Sequence, residues 1–434
     1  MPHFTYSNVN TAFRGLVQGF EDGSIPTIRG PSRVGSVMTV VEPVIVTYEN
    51  PCQRVLFNQQ RDANCFLHLY ESLWMLAGRN DIAPLEYYAA DFGKFVRDKD
   101  DPDHQNGSYG YRWRHAKAGR EPYHYDSGND MTPRPVLGSR DKVVDQLAVI
   151  IDQLRRKPES RRVVLSMWNV EQDLLKIDTS VDVCCNLCCT FMIRTELSDH
   201  PDAGQTVSPY VKFLDMTVFN RSNDLIFGTL GANVVHFSFL LEYIANCLRV
   251  NVGRYNQVSS NLHAYTERWY ADKWLAGNKS QLLCEEHHPD GMFKGIDYIT
   301  RGQPCAVCGD NRVFVKEHFP KQEEYRSLWE HVPLVKDQAR FDEENDITVD
   351  GMWGPNVKER YGDWLDRPLS EPFLQTVAMP MLSAFYWHKQ RDYTLALDWC
   401  FKIAATDWRI AATNWITKRK TNWEKKGAVA NEAD

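Results

Sequence analysis

The sequence predicts an α+β fold with a helical C-terminal region, on three observations. Runs rich in β-branched and apolar residues read as strands over 35–46, 163–167, 185–193 and 216–219. Apolar stretches with helical character stand among them, over 66–78, 143–154 and 234–248. From Pro372 onward the composition turns helical.

Composition bounds the class. A chain of 434 residues holds one large domain with an appendage, or two to three ordinary domains. Apolar residues at 43% and charged ones at 25% are ordinary for a globular protein. The net charge of −7 gives no general attraction for nucleic acid, so a phosphate site has to be a local arginine cluster. The start, Met1-Pro2-His3-Phe4-Thr5-Tyr6, shows no basic segment followed by an apolar run, and no secretory signal is expected. By this reading no apolar stretch approaches the roughly 20 residues that span a bilayer. Eleven cysteines, several of them adjacent, suit a reducing cytoplasm better than a disulfide framework.

In chain order, residues 1–32 read as a lead-in of low periodicity. Gly35 to Val46 reads as a strand interrupted by Pro43. Phe66 to Gly78 reads as a largely apolar helix stopped by its glycine. Glu71 stands out there, since an acid inside an apolar helix is costly unless it is hydrogen-bonded or working. Residues 97–139 are polar and read as irregular loops, with Tyr109-Gly110-Tyr111-Arg112-Trp113-Arg114 inside them. Val143, Val144, Leu147, Ile150, Ile151 and Leu154 recur at helical spacing, predicting a helix of about four turns ended by Pro158. Arg161 and Arg162 follow, and paired guanidinium groups match phosphate oxygens bidentately. Cys184, Cys185, Cys188 and Cys189 carry metal-like or redox-like spacing, but strand alternation sends such neighbours to opposite faces. One nucleophile with three small core residues is therefore expected. The helix over 234–248 is apolar on most faces and should pack on a sheet. In the C-terminal region Leu395, Trp399, Ile403, Ile410 and Trp415 mark apolar faces, and Lys418-Arg419-Lys420 closes the segment with cations near a helix end. No internal repeat is evident.

Three blocks carry the chemistry: Ser160 to Asn169, Asp182 to Phe191, and Asn220 to Leu225. They combine anion binding, a soft nucleophile and a carboxylate able to handle protons. Their order and spacing resemble the thymidylate synthase superfamily: an Arg-Arg block before a Ser-x-Trp-Asn strand, a nucleophilic Cys on the next strand, then Arg-Ser-x-Asp. The likeness runs from about Arg33 to Tyr265. It implies a mixed sheet packed by helices, with a catalytic domain over 1–275. It also implies Cys185 as nucleophile, Glu71 holding a water network beside the pyrimidine, and Tyr109 assisting proton removal. Arg33, Arg221 and Ser222 would bind the nucleotide phosphate, with Arg161 and Arg162 reaching into the partner's site in a homodimer. Asn233 would meet the base, His263 and Tyr265 the sugar, and Asp224 with Gly228 the folate. The loop from Gly228 to Asn233 has one residue more than is usual for the family.

Two departures resemble the hydroxymethylase branch, which serves modified phage DNA. Cys185 is followed by Asn186, where thymidylate synthases place His. The printed chain ends Val429-Ala430-Asn431-Glu432-Ala433-Asp434 and lacks their sealing apolar tail. Beyond Tyr265 the likeness fades. Cys284, His287, Cys305 and Cys308 have zinc-knuckle spacing over a 276–320 insertion and read either as one tetrahedral structural site or as four unrelated reduced residues. Residues 321–434 then form a mostly helical extension.

A thiolate adding to carbon 6 of a pyrimidine makes carbon 5 nucleophilic toward the one-carbon unit of 5,10-methylenetetrahydrofolate. Arginines beside the thiol should lower its pKa. Hydride transfer to the exocyclic methylene would need a closed, dry site, so the departures point to water. The expected activity is 5-hydroxymethylation of a deoxynucleotide, with dUMP favoured by Asn233. The alternatives are dCMP hydroxymethylation, thymidylate synthesis, or an inactive nucleotide- or RNA-binding scaffold. No membrane or direct nucleic-acid partner is expected.

Overall fold

The computed structural model describes residues 1–33, 35–118, 142–197, 208–276 and 373–431. Its first 32 residues are structured, contrary to the expected lead-in. Strand β1 (His3–Tyr6) leads to helix α1 (Val9–Glu21), capped by Asn8, whose side chain accepts from the Asn10 and Thr11 amides. Val9, Ala12, Phe13, Leu16, Val17 and Phe20 are all buried, so a helical period was present in the sequence. Strand β2 (Thr27–Ser32) follows. Pro43 divides the expected 35–46 strand into β3 (Gly35–Val40) and β4 (Val44–Tyr48), and the halves join different sheets.

Helix α2 (Cys65–Leu76) forms as expected, with the short helices α3 (Ala83–Tyr88) and α4 (Gly93–Val96) after it. The polar region expected to be irregular contains helix α5 (Tyr109–Arg114) and strand β5 (Ala116–Ala118). Val143 and Val144 belong to strand β6 (Lys142–Val144) instead of the following helix α6 (Gln146–Arg156), which starts where Asp145 caps it. Next come β7 (Val164–Ser166), β8 (Asn186–Leu197), β9 (Tyr210–Asn220) and the short β10 (Asn223–Asp224). Helix α7 (Ala232–Leu248), β11 (Asn251–Ser259), β12 (Leu262–Tyr265) and α8 (Ala271–Ala276) complete this part.

The principal sheet is mixed, in the order β1-β4-β11-β9-β8-β7, and a second sheet runs β10-β12-β3-β2. Alternation gives the principal sheet two unlike faces. Cys189, Phe191, Leu214, Met216, Val218 and Tyr255 lie at 6% exposure or less, on the face covered by α7. Each such side chain contributes roughly 1.5–3 kcal/mol by leaving water. The other face carries Val164 and Met192, at 50% and 58% exposure, beside the half-buried Phe213, Phe219 and Val258.

The segment Leu225–Leu248 is long and apolar enough to cross a bilayer by length and composition, contrary to expectation, yet 78% of its most apolar window is buried within the protein. It is the central core helix with the π-helical turn before it.

Helices α9 (Met379–Lys389), α10 (Tyr393–Phe401) and α11 (Thr406–Asn431) bear out the helical C-terminal reading. They pack on α2 and α7 through Phe66 against Phe385 and Trp415, each 5.3 Å between centroids, and through Phe239 against Trp408 at 5.9 Å. Ile403, Ile410 and Trp415 join the core or pack on it, whereas Leu395 is exposed. Lys418, Arg419 and Lys420 do not close the helix, which continues to Asn431; Lys418 and Arg419 pair with Asp62.

Candidate active site

Cys185 stands one residue ahead of β8, where the Arg112–Asp173 pair holds the incoming chain. Asp173 is fully buried, ion-paired to Arg112, and accepts from the Cys184 amide at 3.0 Å and the Asn169 amide at 2.8 Å. Arg112 also donates to the Met167 carbonyl at 2.7 Å. This pair ties β7, α5 and the cysteine turn together.

The two adjacent thiols are unlike. Cys184 is 1% exposed, with its sulfur 3.6 Å from the Gly107 carbonyl and 3.7 Å from that of Met167. Burial drives its pKa well above the ordinary thiol value. Cys185 is half-buried, and the Arg221 guanidinium lies 3.7 Å from its sulfur. Arg221 is held by the Cys184 carbonyl at 2.7 Å and the Val183 carbonyl at 2.8 Å, so its charge stays beside the thiol. Burial raises the Cys185 pKa; Arg221 and Arg33 pull it down, while Asp182 and Asp173 push it up. The expected arginine effect is present, but burial outweighs it. Asp182 itself accepts from the Gly107 amide at 2.8 Å, and burial lifts its pKa to about 6.

Several sequence candidates gather around Cys185. Arg33 donates to the Val181 carbonyl. Tyr109 opens α5, packs on Phe237 at 6.0 Å and takes a hydrogen bond from the Asn186 amide. Burial drives its pKa well above the ordinary phenol value, with the Cys185 and Cys184 thiols adding to the effect. The Tyr265 phenol feels Arg33, Cys185 and Asp224, after burial as the main cause of its raised pKa. His263 pairs in register with Asp224, sits 5.5 Å from Tyr265 and hydrogen-bonds Asn261 at 2.9 Å. Ser222 follows Arg221 in the turn between β9 and β10.

Glu71 projects from α2 toward α7, where His236 Nε2 lies 3.2 Å from its carboxylate. His68 stacks edgewise on His236 at 6.4 Å, and burial lowers its pKa to about 3, so it is neutral. Between Asp224 and Asn233 the chain makes a π-helical turn, Leu225–Thr229, capped by the Asp224 carboxylate, which accepts from the Phe227 amide. Asn233 then opens α7 facing Asn186, whose Nδ2 lies 3.4 Å from its Oδ1. The Asn186 Oδ1 atom is buried without a hydrogen-bond partner among the described residues.

Asp224 has a pKa raised by burial, opposed by the Phe227 amide, His263 and Arg61. Beside it Phe227, 41% exposed, is flanked by Arg61 at 4.5 Å and Arg268 at 5.7 Å. An acid, an exposed aromatic plane and two cations fit a heteroaromatic ring bearing an anionic tail. At Gly228 a Cβ would lie 2.3 Å from Asn223 Oδ1 and 3.2 Å from Asn233 Nδ2.

Arg161 and Arg162 are exposed, and their side chains make no hydrogen bond or ion pair among the described residues. Cys284, His287, Cys305 and Cys308 lie outside the described residues. Among the described residues no group of three or more His, Cys, Asp or Glu could hold a metal ion.

Residues 56–288 match the family model described as Thymidylate synthase. The chain belongs to the thymidylate synthase family. Among its relatives, a deoxyuridylate hydroxymethyltransferase of Pseudomonas phage M6 is 33% identical over 411 residues, 94% of this chain and 92% of that protein. One of the same name from Bacillus phage SP01 is 33% identical over 237 residues, 55% of this chain and 53% of that protein. A thymidylate synthase of Rhizobium rhizogenes (strain K84 / ATCC BAA-868) is 31% identical over 124 residues, 29% of this chain and 36% of that protein. Within the family site, reasoning from sequence missed Asp182, His236, Asn223 and Gln257. A polar His inside the apolar run 234–248 was the one signal that could have found any of them; nothing in linear spacing pairs 223 with 257.

Proposed function

We propose that the protein is a folate-dependent deoxyuridylate 5-hydroxymethyltransferase, converting dUMP to 5-hydroxymethyl-dUMP. The observation that carries this reading is the setting of Cys185: a half-buried thiol under a fixed guanidinium, followed by an amide, Asn186, directed at Asn233. Similarity to the phage hydroxymethyltransferases over nearly the whole chain supports it.

Arg33, Arg221 and Ser222 bind the nucleotide phosphate, and Asn233 pairs with the base edge. The Cys185 thiolate adds to carbon 6, forming the carbon–sulfur bond and making carbon 5 nucleophilic. Asp224, Phe227, Arg61 and Arg268 hold the folate. Bound methylenetetrahydrofolate supplies a one-carbon unit at the aldehyde oxidation level. Tyr109 assists loss of the carbon-5 proton, and this loss, with departure of tetrahydrofolate from the transferred carbon, leaves an exocyclic methylene on the ring. Glu71, with His236 against its carboxylate, orients water toward that methylene and takes its proton. The re-formed enolate expels Cys185, leaving a hydroxymethyl group and tetrahydrofolate.

The enzyme works as a homodimer in the host cytoplasm. The uncovered sheet face with Val164, Met192, Phe213 and Phe219 suits a second copy of this chain, and the exposed Arg161 and Arg162 then reach the partner's phosphate.

The deciding measurement is a mass spectrum of the nucleotide formed from dUMP and methylenetetrahydrofolate, with dihydrofolate followed by absorbance. A hydroxymethyl product without dihydrofolate is expected. Thymidylate with stoichiometric dihydrofolate overturns the reading.

A further inference from the structure

A file of amides, buried except for the half-buried Asn233, runs from the Thr229 carbonyl to Asn186, and each hydrogen bond in it dictates the next. Gln257 is fully buried and donates through Nε2 to the Thr229 carbonyl at 3.2 Å. That carbonyl is only an acceptor, and it also takes the Tyr48 hydroxyl at 2.7 Å. Gln257 must therefore turn Oε1 toward Asn223, whose Nδ2 donates to it at 2.8 Å. Asn223 in turn presents Oδ1 to Asn233, which donates through Nδ2 at 2.9 Å. The Asn233 Oδ1 is left facing Asn186 Nδ2 at 3.4 Å.

Turning over the Asn233 amide alone would set two nitrogens against each other at Asn186 and two oxygens against each other at Asn223. Both contacts are unfavourable, since Asn186 and Asn223 are buried and have no water to turn to. The polarity is thus anchored in a backbone carbonyl whose sense cannot invert. Asn233 still keeps one N–H and one lone pair for a ligand.

We propose that Gln257 and Asn223 are positioning residues for base specificity. They lock the Asn233 carboxamide in one of its two orientations, so that an amide able to pair with either pyrimidine edge accepts uracil and rejects cytosine. Uracil offers a donor at N3 and an acceptor at position 4, and cytosine the reverse. The base approaches in a single pose, since carbon 6 must reach Cys185. The inference rests on the dUMP reading above and supplies its physical cause. Gly228 belongs to the same device, since any side chain there would collide with the Asn223–Asn233 contact.

The test compares dissociation constants for dUMP and dCMP in the full-length protein. Asn223→Ala and Gln257→Leu release the amide, and the ratio of dCMP to dUMP constants should fall by about tenfold or more, one such contact being a factor of ten or so. Asn223→Asp and Gln257→Glu should keep the ratio. A carboxyl at 223, ionised or protonated toward Gln257, still shows Asn233 an acceptor, and one at 257 still accepts from Asn223. If the deletions do not fold, Gly228→Ala breaks the same contact from outside the file and should lower the ratio likewise. Equal weakening of both nucleotides, with the ratio unchanged, overturns the inference. A native protein that prefers dCMP overturns the dUMP reading instead, whatever the variants do.

Discussion

Cys184 and Cys185 share a type and a sequence neighbourhood, yet the fold gives them opposite prospects. Cys184 is enclosed by carbonyls, while Cys185 meets Arg221. Of the two, Cys185 should therefore be the one alkylated by iodoacetamide, and Cys185→Ala should abolish release of the carbon-5 proton from dUMP. Because burial raises the Cys185 pKa, the thiol is protonated at neutral pH in the free protein. The alkylation rate should climb about tenfold per pH unit through pH 7–8 without levelling by pH 9, as only the thiolate reacts. Arg221→Ala removes a lowering charge and should slow the reaction at pH 8. Asp182→Asn removes a raising one and should quicken it. The opposite order for this pair would refute the account of the thiol's electrostatics.

At the level of elements, buried ion pairs decide where the site's segments meet. Arg112 and Asp173 join α5 to the turn before β8, and removing one member leaves a buried charge uncompensated. Asp173→Ala should cost about 3–5 kcal/mol in denaturant unfolding. A loss under about 1 kcal/mol would show that the turn holds without it. Helix α11 brings Asp407 beside the fully buried Arg54–Glu242 pair, making one cation face two acids. Burial lifts the Asp407 pKa to about 7, opposed by the Trp408 amide and Arg54. The folded state then holds a proton that the unfolded state has lost, so this group's stabilising effect is complete below pH 4 and declines as pH rises to 7. Asp407→Asn should remove that decline and melt at least as high as the native protein at pH 8. A lower Tm there would mean that the carboxylate is needed charged. Much at this scale was legible. Helices α2 and α7 announce themselves by apolar runs, and Cys185 by the blocks around it. The apolar period of helix α1 is confined to Val9–Phe20 and is diluted over residues 1–32 as a whole.

For the molecule as a whole, the uncovered sheet face makes the dimer testable. Met192→Arg, at 58% exposure on that face, should shift the sedimenting species from dimer to monomer while leaving the monomer folded. Activity should fall with it, since Arg161 and Arg162 would lose the partner's site. Mixing inactive Arg162→Ala with inactive Cys185→Ala should restore part of the activity, because some mixed sites carry neither lesion. No recovery under conditions of proven subunit exchange would mean that each chain holds a complete site.

The sequence by itself determined the α+β class and the family, and it singled out Cys185 and Arg221, which the fold brings together. Those signals are local: strand and helix periodicity, and short blocks in which neighbouring residues act together. Only the tertiary structure decided that burial outweighs Arg221 at the thiol, that His236 meets Glu71, and that a π-helical turn precedes Asn233. It alone joined Asn223 to Gln257, at the end of one strand and on another, and so gave Asn233 a direction. The reason is physical. Desolvation and amide polarity depend on what stands opposite a group in space, and residues far apart along the chain supply it.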